Sequence, residues 1–158
     1  MVNGPSSVPT VNGNTYAIDP RLTEGVIGRR AMGYLVDLVM IAVWTVIVSV
    51  AIGFLGILTL GLGWSLFGLL PLTAIIYNAI TISGRSQGTV GMRFAGLRVV
   101  DAATGGPVGF LTAAVHALLF YVAVSTFALW VCDVLIGMFR NDGRFGHDLI
   151  TGVMLIRS

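Results

Sequence analysis

The sequence predicts an all-α membrane protein built on three apolar segments, with a small β element on the cytoplasmic side. Hydrophobic residues make up 56% of the 158 residues and charged residues only 10%, whereas about a quarter of a soluble domain is charged. Long apolar runs recur at residues 31–55, 64–83 and 110–139. Such a composition cannot cover a soluble globule with polar side chains, so we expect the lipid bilayer to be its solvent.

The first two apolar segments have the length of membrane-spanning helices. Residues 31–55 directly follow Arg29 and Arg30. As a helix of about 25 residues they extend about 37 Å, enough to cross a hydrocarbon core of about 30 Å. Residues 64–83 form a second run long enough for one span, and it contains Pro71, a residue that kinks helices. We therefore predict two spanning helices, the second bent at its proline.

Charge placement predicts the orientation of these helices. Residues 1–28, rich in Gly, Pro, Ser and Asn, indicate a flexible N-terminal tail, which is followed by a single membrane domain over residues 29–158. The connection at 56–63 is uncharged, whereas the loop at 84–109 holds Arg85, Arg93 and Arg98. By the positive-inside rule we expect the tail and this loop in the cytoplasm, and the protein in the cell membrane.

The third apolar run, residues 110–139, allows two topologies. One straight helix would place the last three arginines outside, whereas a break near Ser125 and Thr126 would return the chain to the cytoplasm as a re-entrant or broken hairpin. The runs at 97–100 and 153–156 predict two short strands, and their pairing requires a cytoplasmic C-terminus. We favour the hairpin because it places every arginine on one side of the membrane.

Four polar side chains interrupt the apolar runs: Asp37, Asn78, His116 and Asp133. An ionisable residue inside a membrane costs roughly 2.5–3.5 kcal/mol, so each one calls for a partner or a function. Asp37, Asn78 and His116 lie at a similar depth, and Asp133 joins them only if the third run folds back. Two hypotheses remain open. One is a proton- or cation-handling site, and the other is a set of buried polar contacts in which Arg30 and Asp37, helped by Asn78 and His116, pin the helices together.

The polar residues near the C-terminus are a weak signature of an enzyme. His147 and Asp148 are adjacent, but no serine or cysteine is placed to complete a triad with them. Two histidines and the single Cys132 fall short of a zinc-binding set, so we expect no metal and no cofactor. Capping the following turn, or binding an arginine of the long loop, is the favoured interpretation of His147 and Asp148.

The long loop predicts contact with lipid rather than with nucleotides. Gly88, Gly91 and Gly96 match no nucleotide-binding fingerprint and indicate a glycine-hinged segment lying on the membrane surface. Arg93 and Arg98 are interpreted as contacts to anionic lipid headgroups, each contributing about 1 kcal/mol. The arginines are spread singly, without interleaved aromatic residues, so we expect no nucleic-acid partner.

Three sequence blocks resemble the RDD family of bacterial membrane proteins. They are RRAMGYLVD, SQGTVGMRFAGLRVVDAATGGPVGF and GHDLITGVMLI, in the order found in the family. The resemblance implies a small helical membrane domain with Arg30 at the start of the first span, Asp37 within it and Asp148 in the C-terminal motif. Met92 and His116 depart from the family pattern, which often has lysine and arginine there. Some members of the family look like cation/proton antiporters, and others are modules or accessory partners of larger assemblies.

Two functions are therefore predicted. An accessory or structural subunit of a larger membrane complex is favoured by the small size of the chain and its few membrane-embedded ionisable groups. The alternative is an antiporter-like cation or proton transporter that uses Asp37, and it would be oligomeric because three apolar segments hardly enclose a pathway. We expect other membrane subunits or further copies of the chain as partners, and no enzymatic activity.

Overall fold

The computed structural model describes residues 19–158, so most of the predicted tail, residues 1–18, lies outside the described residues. The described chain is mainly helical, with one two-stranded sheet. A 3-10 turn at Pro20–Leu22 precedes the first helix. The further elements are α1 (Val26–Leu58), a 3-10 helix (Leu62–Leu69), α2 (Leu70–Ser83), α3 (Val90–Phe94), β1 (Leu97–Asp101), α4 (Phe110–Ser125), α5 (Phe127–Met138), α6 (Gly146–Thr151) and β2 (Val153–Arg157).

The first two apolar segments form long helices, as predicted. α1 has 33 residues, and the 3-10 helix continues into α2 to give a second apolar helix over Leu62–Ser83. Both are long and apolar enough to cross a membrane. Pro71 lies in the first turn of α2, where its missing N–H interrupts no helical hydrogen bond. Instead of the kink predicted inside the span, the second apolar helix changes from 3-10 to α geometry beside this proline.

The third apolar run is broken where the sequence predicted. α4 ends at Ser125, α5 begins at Phe127, and the chain bends by 120° between them. With 16 and 12 residues, the two helices extend only about 24 and 18 Å, less than a hydrocarbon core of about 30 Å. The bend directs α5 back to contact α6. The straight-helix alternative is therefore wrong.

The two predicted strands pair with each other. β1 and β2 are antiparallel, with Leu97 opposite Arg157 and Asp101 opposite Val153. Each strand is one residue longer than predicted. The pairing brings the C-terminal strand onto the loop that follows α3, so both lie at one end of the molecule.

The compact hydrophobic core lies at this sheet end. Its largest members come from both strands and from the nearby ends of α1 and α2: Val26, Ile82, Leu97, Val99, Val153 and Leu155. In contrast, the most apolar part of α1 is only 6% buried. An exposed apolar surface of that size is typical of contact with lipid or another protein.

The short helix α3 packs directly on α1 through two glycines. Thr89 caps the start of α3, since its hydroxyl oxygen accepts a hydrogen bond of 3.1 Å from Met92 N. A Cβ atom at Gly91 would lie 2.0 Å from the carbonyl oxygen of Gly33 and 2.7 Å from the carboxylate carbon of Asp37. Only glycine allows this close approach of α3 to α1.

Candidate functional site

Two carboxylates and two imidazoles meet where α4, α5 and α6 converge beside the start of α1. They are His116 on α4, Asp133 on α5, and His147 and Asp148 on α6, and we call them the His–Asp cluster. All four side chains are buried. The 120° bend between α4 and α5 is what carries Asp133 back to α6.

Asp148 is the centre of the cluster and is fully buried. Its Oδ2 accepts hydrogen bonds from Arg30 Nη1 at 2.6 Å and from Phe145 N at 2.9 Å. Its Oδ1 lies 2.8 Å from His116 Nε2 and 3.3 Å from His147 Nε2. Burial raises the pKa of the Asp148 carboxyl, but the Arg30 guanidinium and the hydrogen bonds from His116 and Arg30 lower it by more, so the pKa lies well below its usual range.

Arg30 is held in place by contacts on three sides. Besides Asp148, its Nη1 donates to the carbonyl oxygen of Gly143 at 3.0 Å, and its guanidinium lies 4.0 Å from the centre of the Phe145 ring. Gly137 makes room for that ring, because a Cβ atom there would lie 1.9 Å from it. Arg30 therefore joins α1 to α6 through Asp148, and it does so without a contact to Asp37.

Asp133 fixes the orientation of His147. Its two carboxylate oxygens accept from the backbone N of His147 at 2.8 Å and face the ring nitrogen Nδ1 at 2.7 Å. An ionised carboxylate can only accept, so Nδ1 carries a proton. The other ring nitrogen, Nε2, lies 3.3 Å from Asp148 Oδ1, so the imidazole stands between the two carboxylates.

Two carboxylates and one arginine give the cluster its permanent charges. Asp133 and Asp148 are the acids, and Arg30 is the one guanidinium in hydrogen-bond contact with Asp148 among the described residues. Each imidazole beside them adds a positive charge only when it is protonated. A proton on an imidazole or a bound cation can therefore balance the second carboxylate, and unpaired charge in such a buried place is costly.

Asp37 belongs to a separate network. Its Oδ1 accepts from Gly91 N at 2.8 Å and from the Tyr77 hydroxyl at 3.1 Å, and its Oδ2 accepts from the Thr89 hydroxyl. The Tyr77 hydroxyl oxygen in turn accepts from Val90 N at 3.1 Å. Asp37 thus ties α3 and α2 to α1 through uncharged donors.

Asn78 belongs to a third network, which joins α2 to α4. Its Nδ2 donates to the Tyr121 hydroxyl at 3.0 Å and to Ala74 O at 2.9 Å. Asp37, Asn78 and His116 do not bond to one another, yet all three line one cavity of about 360 Å³, together with Arg30 and His147. The three residues predicted to lie at a similar depth in the membrane therefore share the wall of one cavity. Asp133 is connected to that wall through its contact with His147.

Sequence reasoning missed the His–Asp cluster because it counted only histidine and cysteine as metal ligands. The ligand atoms of His116, His147 and Asp148 lie within 4.8 Å of one another, so a carboxylate supplies the third donor. The predicted capping role of Asp148 is present at the start of α6, but the arginine it binds comes from α1 and not from the long loop. One feature of the sequence did point to the cluster: Arg30 and Asp148 are charged residues beside apolar segments.

Two further predicted features lie on the outside of the described chain. Arg93 and Arg98 are exposed on α3 and β1, so their contact with lipid headgroups remains a prediction. Cys132 is an exposed free thiol on α5, outside the cluster.

Comparison with known proteins gives one match. The family model described as the RDD family matches residues 25–152, which extend from just before α1 to the end of α6 and include the cluster and Arg30. Neither a curated protein nor a solved structure matches the chain.

Proposed function

The chain belongs to the RDD family, and on that premise we propose that this membrane protein is an antiporter-like cation transporter whose cation site is the His–Asp cluster. The observation that carries the proposal is the burial of two carboxylates and two imidazoles together beside one arginine. Buried ionisable groups in membrane proteins mark ion pathways more often than other positions do. Of the cluster and its arginine, His116, His147 and Arg30 line a cavity of about 360 Å³, large enough to admit a hydrated ion.

The cluster, rather than Asp37, is the better candidate for the transported ion. Asp37 already accepts three hydrogen bonds from uncharged donors, and one of them is a backbone N–H that no movement of a side chain can release. His147 Nε2 and Asp148 Oδ1 instead are side-chain atoms 3.3 Å apart, and movement of the side chains can open the space between them to an ion. We therefore assign Asp37 to the packing of α3 on α1 and the cluster to the ion.

The remaining parts of the proposal concern assembly and orientation. α1 exposes most of its apolar length, which favours an oligomer in which helices of several copies enclose the pathway. The arginine distribution favours a cytoplasmic N-terminus in the cell membrane. We propose no enzymatic activity, because the described hydrogen bonds of the two buried histidines go to carboxylates and not to a nucleophile.

Flux through reconstituted vesicles tests this function. Vesicles containing the protein should show Na⁺, K⁺ or divalent-cation flux above that of protein-free vesicles, and His147→Ala should abolish it. Asp142→Asn is the matched control, because it removes a carboxylate from an exposed pair with Arg140 outside the cluster. If none of these ions moves faster than in protein-free vesicles, the transport proposal fails.

A second candidate function is an accessory subunit of a larger membrane complex. It is favoured by the same exposed apolar face of α1, since a partner subunit fits such a surface as well as lipid does. Affinity purification from the native membrane should then yield a stoichiometric partner. Purification of the chain alone, or of its own oligomers, would rule out this candidate.

A further inference from the structure

We propose that the His–Asp cluster is a binding site for a divalent transition metal of the Zn²⁺ class, with His116 Nε2, His147 Nε2 and Asp148 Oδ1 as its three protein ligands. This inference rests on the proposed function and deepens it by naming the class of cation. From the sequence we expected no metal, because we counted only histidine and cysteine as possible ligands.

The spacing of the three atoms fits a metal ion. Asp148 Oδ1 lies 2.8 Å from His116 Nε2 and 3.3 Å from His147 Nε2, and the ligand atoms all lie within 4.8 Å of one another. Zn²⁺ binds nitrogen and oxygen at about 2.0–2.1 Å in a tetrahedron, so two of its ligands are about 3.3 Å apart. Small shifts of the two imidazoles are sufficient to reach this geometry.

Asp133 provides the outer support that metal-binding histidines have. It faces Nδ1 of His147 at 2.7 Å, which holds a proton on that nitrogen and makes Nε2 the nitrogen that would bind the metal ion. His116 Nδ1 has no hydrogen-bond partner within the described part of the chain. Without a metal, His116 Nε2 donates to Asp148 Oδ1. A metal ion would replace that proton, and the proton of the neutral ring would then lie on Nδ1.

The donor set selects the class of ion. Two imidazoles with one carboxylate suit Zn²⁺, Co²⁺, Ni²⁺ or Cu²⁺, whereas Mg²⁺ and Ca²⁺ require mostly oxygen ligands. Arg30 binds the other oxygen of Asp148, Oδ2, so it leaves Oδ1 available. Because both histidines line the cavity, the fourth coordination position lies open to it, and a hydroxide or other anion there would balance the charge of the ion.

Metal titration of the full chain in detergent tests the site. The protein is purified with an affinity tag that contains no histidine, and Zn²⁺ is titrated by calorimetry. We expect one Zn²⁺ per chain, loss of binding in His147→Ala and in His116→Ala, and an affinity weakened by about 10–100-fold in Asp133→Asn. Cys132→Ser, which removes the only thiol, should bind as the unmodified chain does. Equal Zn²⁺ affinity in the unmodified chain and both histidine variants would overturn the proposal.

A second measurement needs no variant and so does not depend on how the variants fold. Co²⁺ in place of Zn²⁺ should give intense visible absorption bands, which report four-coordinate binding with nitrogen ligands, and Zn²⁺ should displace them. Only the weak bands of the six-coordinate Co²⁺ aquo ion would contradict the proposed metal site. Zn²⁺ binding without flux in vesicles contradicts transport alone, whereas Na⁺ or K⁺ flux without Zn²⁺ binding contradicts the metal site alone.

Discussion

At the scale of single residues, Asp148 connects the most partners. One oxygen binds Arg30 and the backbone N of Phe145, and the other faces His116 and His147. Arg30 comes from α1 and His116 from α4, whereas Phe145 and His147 lie at the start of α6, so one carboxylate links α1, α4 and α6. Its ionised form is maintained by Arg30, and removing the charge of Asp148 therefore affects the whole of this end of the molecule.

The substitution Asp148→Asn should lower the stability strongly. Arg30 would be left as a buried cation without its carboxylate, and breaking such a pair costs about 3–5 kcal/mol. The measurement is the midpoint of thermal unfolding in detergent. Asp142→Asn is the control, since its pair with Arg140 is exposed, and its midpoint should match that of the unmodified chain. Similar midpoints for the two variants would contradict the assigned role of Asp148.

The substitution Thr89→Val should destabilise the attachment of α3. The hydroxyl of Thr89 donates to Asp37 and also accepts from Met92 N at the start of α3, and valine keeps the shape while losing both bonds. A buried carboxylate that loses a donor costs about 1–3 kcal/mol. Hydrogen exchange of the α3 amides is the measurement, and it should become faster.

Thr81→Val provides the matched control for Thr89→Val. The Thr81 hydroxyl donates only to backbone carbonyls of its own helix, at Tyr77 and Asn78, and such bonds contribute little to stability. Amide exchange in α3 should therefore remain that of the unmodified chain. If both valine variants accelerate exchange equally, the bond from Thr89 to Asp37 is not what holds α3.

At the scale of elements, the contact between α1 and α3 depends on the absence of side chains. Gly33 and Gly91 let the two backbones approach until Gly91 N reaches Asp37 Oδ1 at 2.8 Å. A helix of five residues has little stability of its own. α3 therefore owes its position to this contact and to Thr89.

The substitution Gly91→Ala should separate α3 from α1. The added Cβ would lie 2.0 Å from Gly33 O, and overpacking of this kind costs about 1–3 kcal/mol. Gly28→Ala is the matched control, because a Cβ there meets nothing within 4 Å and the residue is already helical. The thermal midpoint should fall for Gly91→Ala and not for Gly28→Ala. A midpoint unchanged by Gly91→Ala would show that α3 is free to shift.

The elements themselves were largely predictable, because hydropathy and β-branched runs are local properties. The apolar segments and the two strands follow from patterns within about 30 residues of sequence, whereas the break at Ser125 and Thr126 was predicted from the placement of the arginines along the chain. Pro71 shows the limit of such reasoning, since its effect depends on whether it lies inside a helix or at its start. The sequence pattern placed Pro71 inside a helix, whereas it lies in the first turn of α2.

The site was less predictable, because its partners are distant in sequence. Arg30 and Asp148 are 118 residues apart, and nothing in the pattern distinguishes Asp148 from Asp37 as the partner of Arg30. The main donor to Asp37 Oδ1 is a backbone N–H, which no side-chain pattern reveals. The resemblance to the RDD family singled out Arg30, Asp37 and Asp148 but not the contacts among them.

At the scale of the whole molecule, the polar contacts and the compact core gather at one end. β1 pairs with β2 there, and Arg30 at the start of α1 binds Asp148 close to the C-terminus. α1 is about 50 Å long at 1.5 Å per residue, which is longer than a hydrocarbon core is thick. Most of its length therefore extends away from this end of the molecule. The uncharged connection that contains Leu60 lies at its other end.

This arrangement predicts the membrane topology, which single cysteines test in a Cys132→Ser background. Ser86 and Ser158 lie on exposed parts of the sheet end, whereas Leu60 is 97% exposed in the connection after α1. If α1 and α2 both span, an impermeant maleimide should label Ser86→Cys and Ser158→Cys only in inside-out vesicles, and Leu60→Cys only in right-side-out vesicles. Labelling of Ser86→Cys and Ser158→Cys from opposite sides would contradict the pairing of β1 with β2. The reverse pattern at all three positions would keep the fold and invert the proposed orientation, because the sheet end would then face outward together with its arginines.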